Sequence, residues 1–402
     1  PYWNYSKAGQ NSLPPAFGSR DWPDGQGDNP LFVEQRWGPG DGSIYVLPED
    51  ASLKNLAVPD FTGTIGGDPG FGGVETPYHH GGRDTPHGAL ESLPHDLVHV
   101  DVGGQNSFPG QPRPLPGLMS YPPTAGLDPI FYIHHCNIDR LWEIWNKTMG
   151  RLNPPNSNWL SGPPLQFPKG STTLGFPMPK PDGSTWIFQP RDVVDIATLG
   201  YGYDDLDAPG VQPRQQRRFQ RLGMARAVAL GGEEDRVAKK AELLGANDKP
   251  LRIAPDQAET QVRLDRGVRQ KVSQSFGLAA RAAVPAEPDR VFLNLENIRG
   301  SNDAAALRVY VNLPAGADPE DHPEFLAGTV GLFGVSLASK TDEAHAGSGI
   351  TQVLDITRLV DQLHLADQLD SDHLNVRVVP RTPISDGSDL TIGRISVYRQ
   401  AQ

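Results

Sequence analysis

The chain holds a single cysteine, Cys136, so no intrachain disulfide framework can form. That suits a reducing compartment without requiring one, because exported proteins also do without disulfides. No apolar run reaches the roughly 18 residues a membrane-crossing helix needs, and no signal-peptide pattern stands at the start. Basic residues are outnumbered: 36 Lys and Arg face 48 Asp and Glu, a net charge of −12. A polyanionic partner such as nucleic acid is therefore excluded as the leading ligand, and the charge bears mainly on solubility. Compartment and oligomeric state are not legible; a homo-oligomer stays open.

Hydrophobic residues make up 37 % of the sequence, lean but enough for a globular core. With 402 residues, two or three domains are expected. The 44 glycines and 39 prolines predict long connections. Residues 1 to about 90 read as ordered loops, since Trp3, Trp22 and Trp37 argue against disorder. Two helices follow. The first runs from Leu90 to about Val100, with Ser92 as N-cap and Pro94 in its first turn. The second starts at Asp128-Pro129, runs to about Met149 and stops at Gly150. Its apolar residues Ile130, Ile133, Ile138, Leu141, Trp142 and Trp145 spread round the circumference, as for a central helix. From about residue 247 the period changes to two, as in Leu307, Val309, Val311 and Leu313, which predicts an antiparallel β-sandwich. The expected organisation is an α+β protein: a helical core with long loops over 1–210, a basic linker over 211–246 and a β-domain over 247–402. The linker reads as a solvated connector or exposed helix, with Arg214–Arg221 a protease target.

The chemistry concentrates on the helices. His95 and His99 lie four apart, a spacing that puts both rings on one helix face within reach of one metal. His134 and His135 sit in an apolar, aromatic helix, where unpartnered imidazoles are costly. Adjacent side chains diverge by about 100° on a helix, so one of the pair reaches the shared metal and the other packs beside it. Asp139, four beyond His135, can accept a hydrogen bond from a ligand ring and fix its tautomer, or pair with Arg140. Three imidazoles suit zinc, copper, iron or nickel, and the chain has no HExxH motif of the zincin proteases. On the residues alone zinc and copper both remain open. His79, His80 and His87 in YHHGGRDTPHG read as surface groups, as do His322, His345, His364 and His373.

The segment ESLPHDLVH followed by DPIFYIHHCNIDRLWEIW resembles the second copper half-site of the tyrosinase and polyphenol oxidase family. The resemblance implies that His95, His99 and His135 bind copper, that His134 is the adjacent non-ligand and that Phe131 packs at the metal. It further implies that Glu91 holds a water near the metal. Asp96 sits where an asparagine often helps deprotonate monophenols, a departure that leaves hydroxylation of monophenols open. PYWNY looks like the segment that follows the family's first copper half-site, and LGYGYDDL, with Tyr201 and Tyr203, looks like its closing tyrosine motif. RVFLNLENIRG, HPEFLAGTVGLFG and TIGRISVY look like the C-terminal domain of plant-type members, which can shield the site and keep the enzyme latent.

What the resemblance implies is oxidation of small phenols, o-diphenols to o-quinones, with O2 as co-substrate and two coppers. The first copper's histidines are expected upstream of Pro1, so this chain represents one copper site and by itself oxidises little or no catechol. Alternatives are a non-catalytic copper or O2 binder, a three-histidine zinc hydrolase, and an interaction module resting on the β-domain.

Overall fold

A computed structural model describes residues 1–22, 24–25, 27–39, 42–75, 85–111, 113–165, 170–224, 240–281, 287–341, 347–368, 372–384 and 389–402. The N-terminal half is built on two helices, α1 (Asp96–Gly103) and α2 (Ile130–Glu143). α2 starts where the sequence predicts. An Asp128 carboxylate oxygen accepts from the Ile130 amide at 3.0 Å, and the same carboxylate is gripped by Arg36 at 2.6 and 2.8 Å. α1 starts later than its spacing suggests. The residue before a proline is driven out of the helical region, and Leu93, ahead of Pro94, is extended at φ −154° and ψ 121°. Ser92 is consequently not an N-cap; its hydroxyl donates to the Gln352 side chain at 2.9 Å.

Long loops wrap these helices on two sides. Trp3, Tyr5, Val98, Val102, Met119 and Ile130 form one core. Leu56, Val58, Phe71, Leu141, Ile144 and Trp145 form the other. Trp145 is fully buried and stacks on Phe71, with centroids 4.4 Å and planes 6° apart, while its indole donates to the Val58 carbonyl at 2.7 Å. The aromatic residues thus give loops with little secondary structure something to pack on, and truncating such a ring typically costs about 3–5 kcal/mol.

Helix α3 (Arg214–Arg221) leads into the β-rich domain. Its strands are β1 (Ala241–Ala246), β2 (Leu251–Arg252), β3 (Ala258–Leu264), β4 (Arg290–Arg299), β5 (Ala306–Val311), β6 (Leu326–Gly331), β7 (Ile350–Asp355), β8 (His373–Pro380) and β9 (Thr391–Gln400). Helices α4 (Arg266–Arg281) and α5 (Thr357–Leu365) flank them. All pairings are antiparallel, in the order β6-β5-β8-β3-β1-β9-β4-β7, with β2 beside β9. The expected two layers come from this one sheet curling on itself, since a Cβ on Gly328 of edge strand β6 would lie 2.9 Å from Leu354 of edge strand β7. Inward residues such as Leu293, Leu307, Val309, Val376, Ile395 and Val397 fill the interior.

The structure corrects the reading of the basic segment. Far from being a solvated connector, Arg218 is buried. It pairs with Asp361 at 3.0 Å and Glu287 at 3.2 Å and donates to the carbonyls of Pro288 and Asp289. Arg221 holds the other Asp361 oxygen, and Arg214 pairs with Asp68 at 2.6 Å. Four positive charges in RQQRRFQR looked like a solvated face because their partners lie 69 to 146 residues away in sequence. Limited trypsin digestion of the native chain is accordingly expected to spare Arg218 and Arg221. Rapid cleavage there would contradict the docked helix. Residues 225–239 of the expected linker lie outside the described residues.

The two halves meet along α1. Arg381 reaches from the β-domain to Asp50 and Asp101. Gly331 lies against Asp96, where an added Cβ would sit 3.2 Å from the aspartate Cβ. This close approach places the loop after β6 directly over the histidines.

Candidate metal centre

α1, with His95 at its N-cap, and α2 bring His95, His99, His134 and His135 together, with one ring nitrogen of each lying within 4.8 Å of the others. Ring centroids are 4.6 Å apart for His95–His99, 5.1 Å for His95–His135 and 5.6 Å for His99–His135. His134 is 5.0 Å from both His99 and His135.

The tautomer of His99 follows from its partner. Its Nδ1 lies 2.7 Å from the Met119 carbonyl, which can only accept, so Nδ1 carries the proton and Nε2 keeps its lone pair. Nε2 of His99, Nε2 of His135 and both nitrogens of His134 are buried without any hydrogen-bond partner among the described residues. Burial, and then the neighbouring imidazoles, hold His99 and His134 well below the ordinary histidine value. Burial and His95 push His135 down to about 3. These rings are therefore neutral near pH 7 and present lone pairs to one another, an arrangement that costs free energy unless an electrophile fills it. A metal ion fits this donor set.

Two phenylalanines frame the cluster. Phe131, one turn earlier on α2, packs on His135 with centroids 4.0 Å apart. Phe333, from the loop after β6, stacks on His99 at 4.0 Å and 14° and touches His95 edge-on at 5.8 Å. Nothing in the sequence around GLFG pointed to Phe333, because its contact partner is more than two hundred residues away.

The remaining expected site residues take other places. Among the described residues Asp139 holds no ligand ring and no cation; it accepts from the hydroxyls of Tyr201 at 2.9 Å and Tyr203 at 2.5 Å, tying the tyrosine motif to α2. Arg140 turns instead to Asn137 and Asp205. Asp96 is buried and accepts from Nδ1 of His95 at 2.9 Å, from Nδ1 of His87 at 2.8 Å and from Gln352 at 3.4 Å. Both of its oxygens are thus engaged, Oδ1 by His95 and Oδ2 by His87 and Gln352. Glu91 is half exposed; it accepts from the Gly88 amide at 3.3 Å and lies 3.9 Å from His87. His87, expected at the surface, is mostly buried. Burial opposes its charge, but Glu91 and Asp96 outweigh that and carry it up to about 9. Of the other histidines, His364 stacks on Phe276 and His322 pairs with Glu324, while His79, His80 and His345 lie outside the described residues.

Residues 47–148 match the common central domain of tyrosinase, and residues 240–400 match a domain of unknown function, DUF7868. The tyrosinase HcTyr1 of Hahella sp. (strain CCB-MM4) is 27 % identical over 413 residues, covering 100 % of this chain and 75 % of that protein. The chloroplastic polyphenol oxidase of Malus domestica is 28 % identical over 251 residues, with 60 % of this chain covered but only 37 % of the apple protein. Among solved structures, latent apple tyrosinase superposes with a TM-score of 0.56 at 22 % identity, over 100 % of this chain and 77 % of that one. Recombinant latent aurone synthase gives a TM-score of 0.56 at 17 % identity, over 100 % of this chain and 70 % of that one. The same helical core and C-terminal β-domain are present in both.

Proposed function

Because this chain belongs to the tyrosinase and polyphenol oxidase family, we propose that its histidine cluster holds copper and that the whole protein oxidises o-diphenols to o-quinones while reducing O2 to water. The observation that carries this reading is the set of buried imidazole nitrogens on α1 and α2 with no hydrogen-bond partner among the described residues. His95, His99 and His135 are the proposed ligands. His134, next to His135 on α2, is the proposed neighbour outside the ligand set.

Copper, when bound, supplies the one-electron steps between phenol and O2. The chain's own groups prepare that chemistry. The Met119 carbonyl fixes the His99 tautomer. Asp96 orients His95 through Nδ1 rather than moving a substrate proton, and His87 in turn holds Asp96. Phe131 limits the swing of the His135 ring. Phe333 sits where a phenol ring would stack on His99, so the β-domain keeps substrate and bulk water off the cluster. A coupled pair of coppers needs a second histidine set. Among the described residues the only other candidate ligand group is His87, Glu91 and Asp96, and its histidine is already committed to carboxylates. The 402-residue chain is therefore proposed to hold one copper and to turn over catechol only with a second set supplied.

Metal analysis after equilibration of the purified chain with copper and zinc together tests this. One copper per chain, retained through dialysis, is expected; retention of zinc with copper excluded would sink the copper reading. Phe333→Ala should leave the copper content unchanged and speed its removal by a chelator several-fold, because the ring covers His99. An unchanged stripping rate would remove Phe333 from the cover.

A further inference from the structure

Away from the histidines, the seam between the halves encloses a cavity of about 790 Å³. Its walls come from the loop around Glu49–Asn55, from α3, and from the β-domain near β6, β7 and α5. In a chain of net charge −12 its lining is cationic. Five of its arginines are matched to carboxylates: Arg214 and Arg290 to Asp68, Arg218 and Arg221 to Asp361, and Arg308 to Glu320 at 3.5 Å. Three further cations, Lys54, Arg217 and Arg358, line the same space without an ion-pair partner among the described residues. Arg358 donates only to neutral acceptors, the Gln362 side chain and the carbonyls of Glu324 and Leu326. Loss of hydration lowers the pKa of all three; at Lys54 Asp50 and Asp355 oppose this and Arg358 and Arg214 add to it, at Arg217 Arg214 and Arg221 add to it against Asp355, and at Arg358 Arg221 adds to it against Glu324. Carboxylates also line the space, Glu49, Asp50, Glu287, Glu320 and Asp355, but the cations outnumber them, and three cations without an ion-pair partner among the described residues reach it from three separate elements.

We propose that this cavity is a binding site for a small anion carrying at least two phosphoryl groups, bridging Lys54, Arg217 and Arg358. A planar guanidinium matches a pair of phosphoryl oxygens with two parallel hydrogen bonds, and a lysine adds a point charge. Three cations on different walls call for a ligand with charge at more than one end, and the volume admits one. Lys54 belongs to the N-terminal half and Arg358 to the β-domain, so the bound anion joins the two halves. A ligand that binds only the folded state raises its stability by mass action.

Thermal unfolding of the full 402-residue chain is followed while inorganic pyrophosphate is added, with sodium chloride holding ionic strength constant. A saturable rise in the midpoint is expected. Lys54→Gln and Arg217→Gln should each weaken it several-fold, and the double variant should lose it; neither side chain has an ion-pair partner among the described residues, so neither substitution breaks a salt bridge there. Equilibrium dialysis with labelled pyrophosphate at a temperature where every variant is folded reads the same loss independently of stability. A shift no larger than that from the salt alone, or one undiminished in the double variant, overturns the site. Tighter binding of citrate than of pyrophosphate overturns the phosphoryl assignment.

Discussion

Replacing His99 by alanine is expected to weaken copper binding by more than about 100-fold, beyond the 10–100-fold loss that follows when only an outer partner of a metal ligand is removed. His99 is the ring with the best-fixed lone pair: fully buried, its Nδ1 committed to Met119, its Nε2 without a partner. Phe333 and Phe131 adjoin its ring and offer no ligand atom, and His134 is the remaining imidazole of the cluster among the described residues. The substitution also leaves a cavity and an unpaired carbonyl, so loss of copper could report a damaged fold. His135→Ala separates the two. That ring is partly exposed, and its removal disturbs packing less while deleting a proposed ligand. Equilibrium dialysis with copper, alongside thermal unfolding of the metal-free variants, gives the readout. Both variants binding copper as the parent does would dismantle the centre. His134→Phe, which fills the same volume, is expected to keep it; if only His134→Phe loses the metal, His134 rather than its neighbour is the ligand.

The parts of this molecule that were legible in its sequence are those set by neighbours along the chain. Asp128-Pro129 announces α2 through local backbone chemistry, and the four-residue step from His95 to His99 announces a shared face. Phe131 reaches His135 because one helical turn separates them. Period two in LRVYVNL marks a strand for the same reason. The start of α1 was missed by a few residues because Pro94 acts on the residue before it, a local effect that helical periodicity overlooks. Contacts across the seam were not legible. Phe333 on His99, Gln352 on Asp96 and the arginines of α3 on Asp361 are pairings between segments whose relative placement only the assembled fold decides. Asp139 shows the limit most clearly. Its helical spacing from His135 was read correctly, yet the hydroxyls of Tyr201 and Tyr203, arriving from a distant loop, both donate to its Oδ2.

Asp68→Asn is expected to destabilise the chain by about 3–5 kcal/mol at neutral pH, the usual cost of removing one partner from a buried ion pair. Asp68 comes from the N-terminal half and faces Arg214 of α3 and Arg290 of β4, and Arg290 also holds Asp355 at 2.8 Å. Burial alone would raise the Asp68 pKa, but Arg214 and then Arg290 outweigh it and hold it down to about 2. Asp355 is likewise held well below the usual carboxylate range: burial opposes this too, and Arg290 and Arg214 overcome it. For a carboxylate whose folded value lies below its unfolded one, the unfolded chain binds more protons in between. The stabilisation is thus complete above about pH 4, the unfolded carboxylate value, and is lost as pH falls towards 2. Asparagine cannot ionise, so the gap between parent and variant in denaturant titrations should be largest at neutral pH and narrow steadily below pH 4. A gap that stayed constant down to pH 2.5 would mean that Asp68 acts through packing rather than charge. Because this network spans both halves and α3, the variant should also lose the coincidence of unfolding signals from the tryptophan-rich N-terminal half and the β-domain. Retained coincidence at reduced stability would locate the coupling instead at Arg381, which joins Asp50 and Asp101 across the same seam.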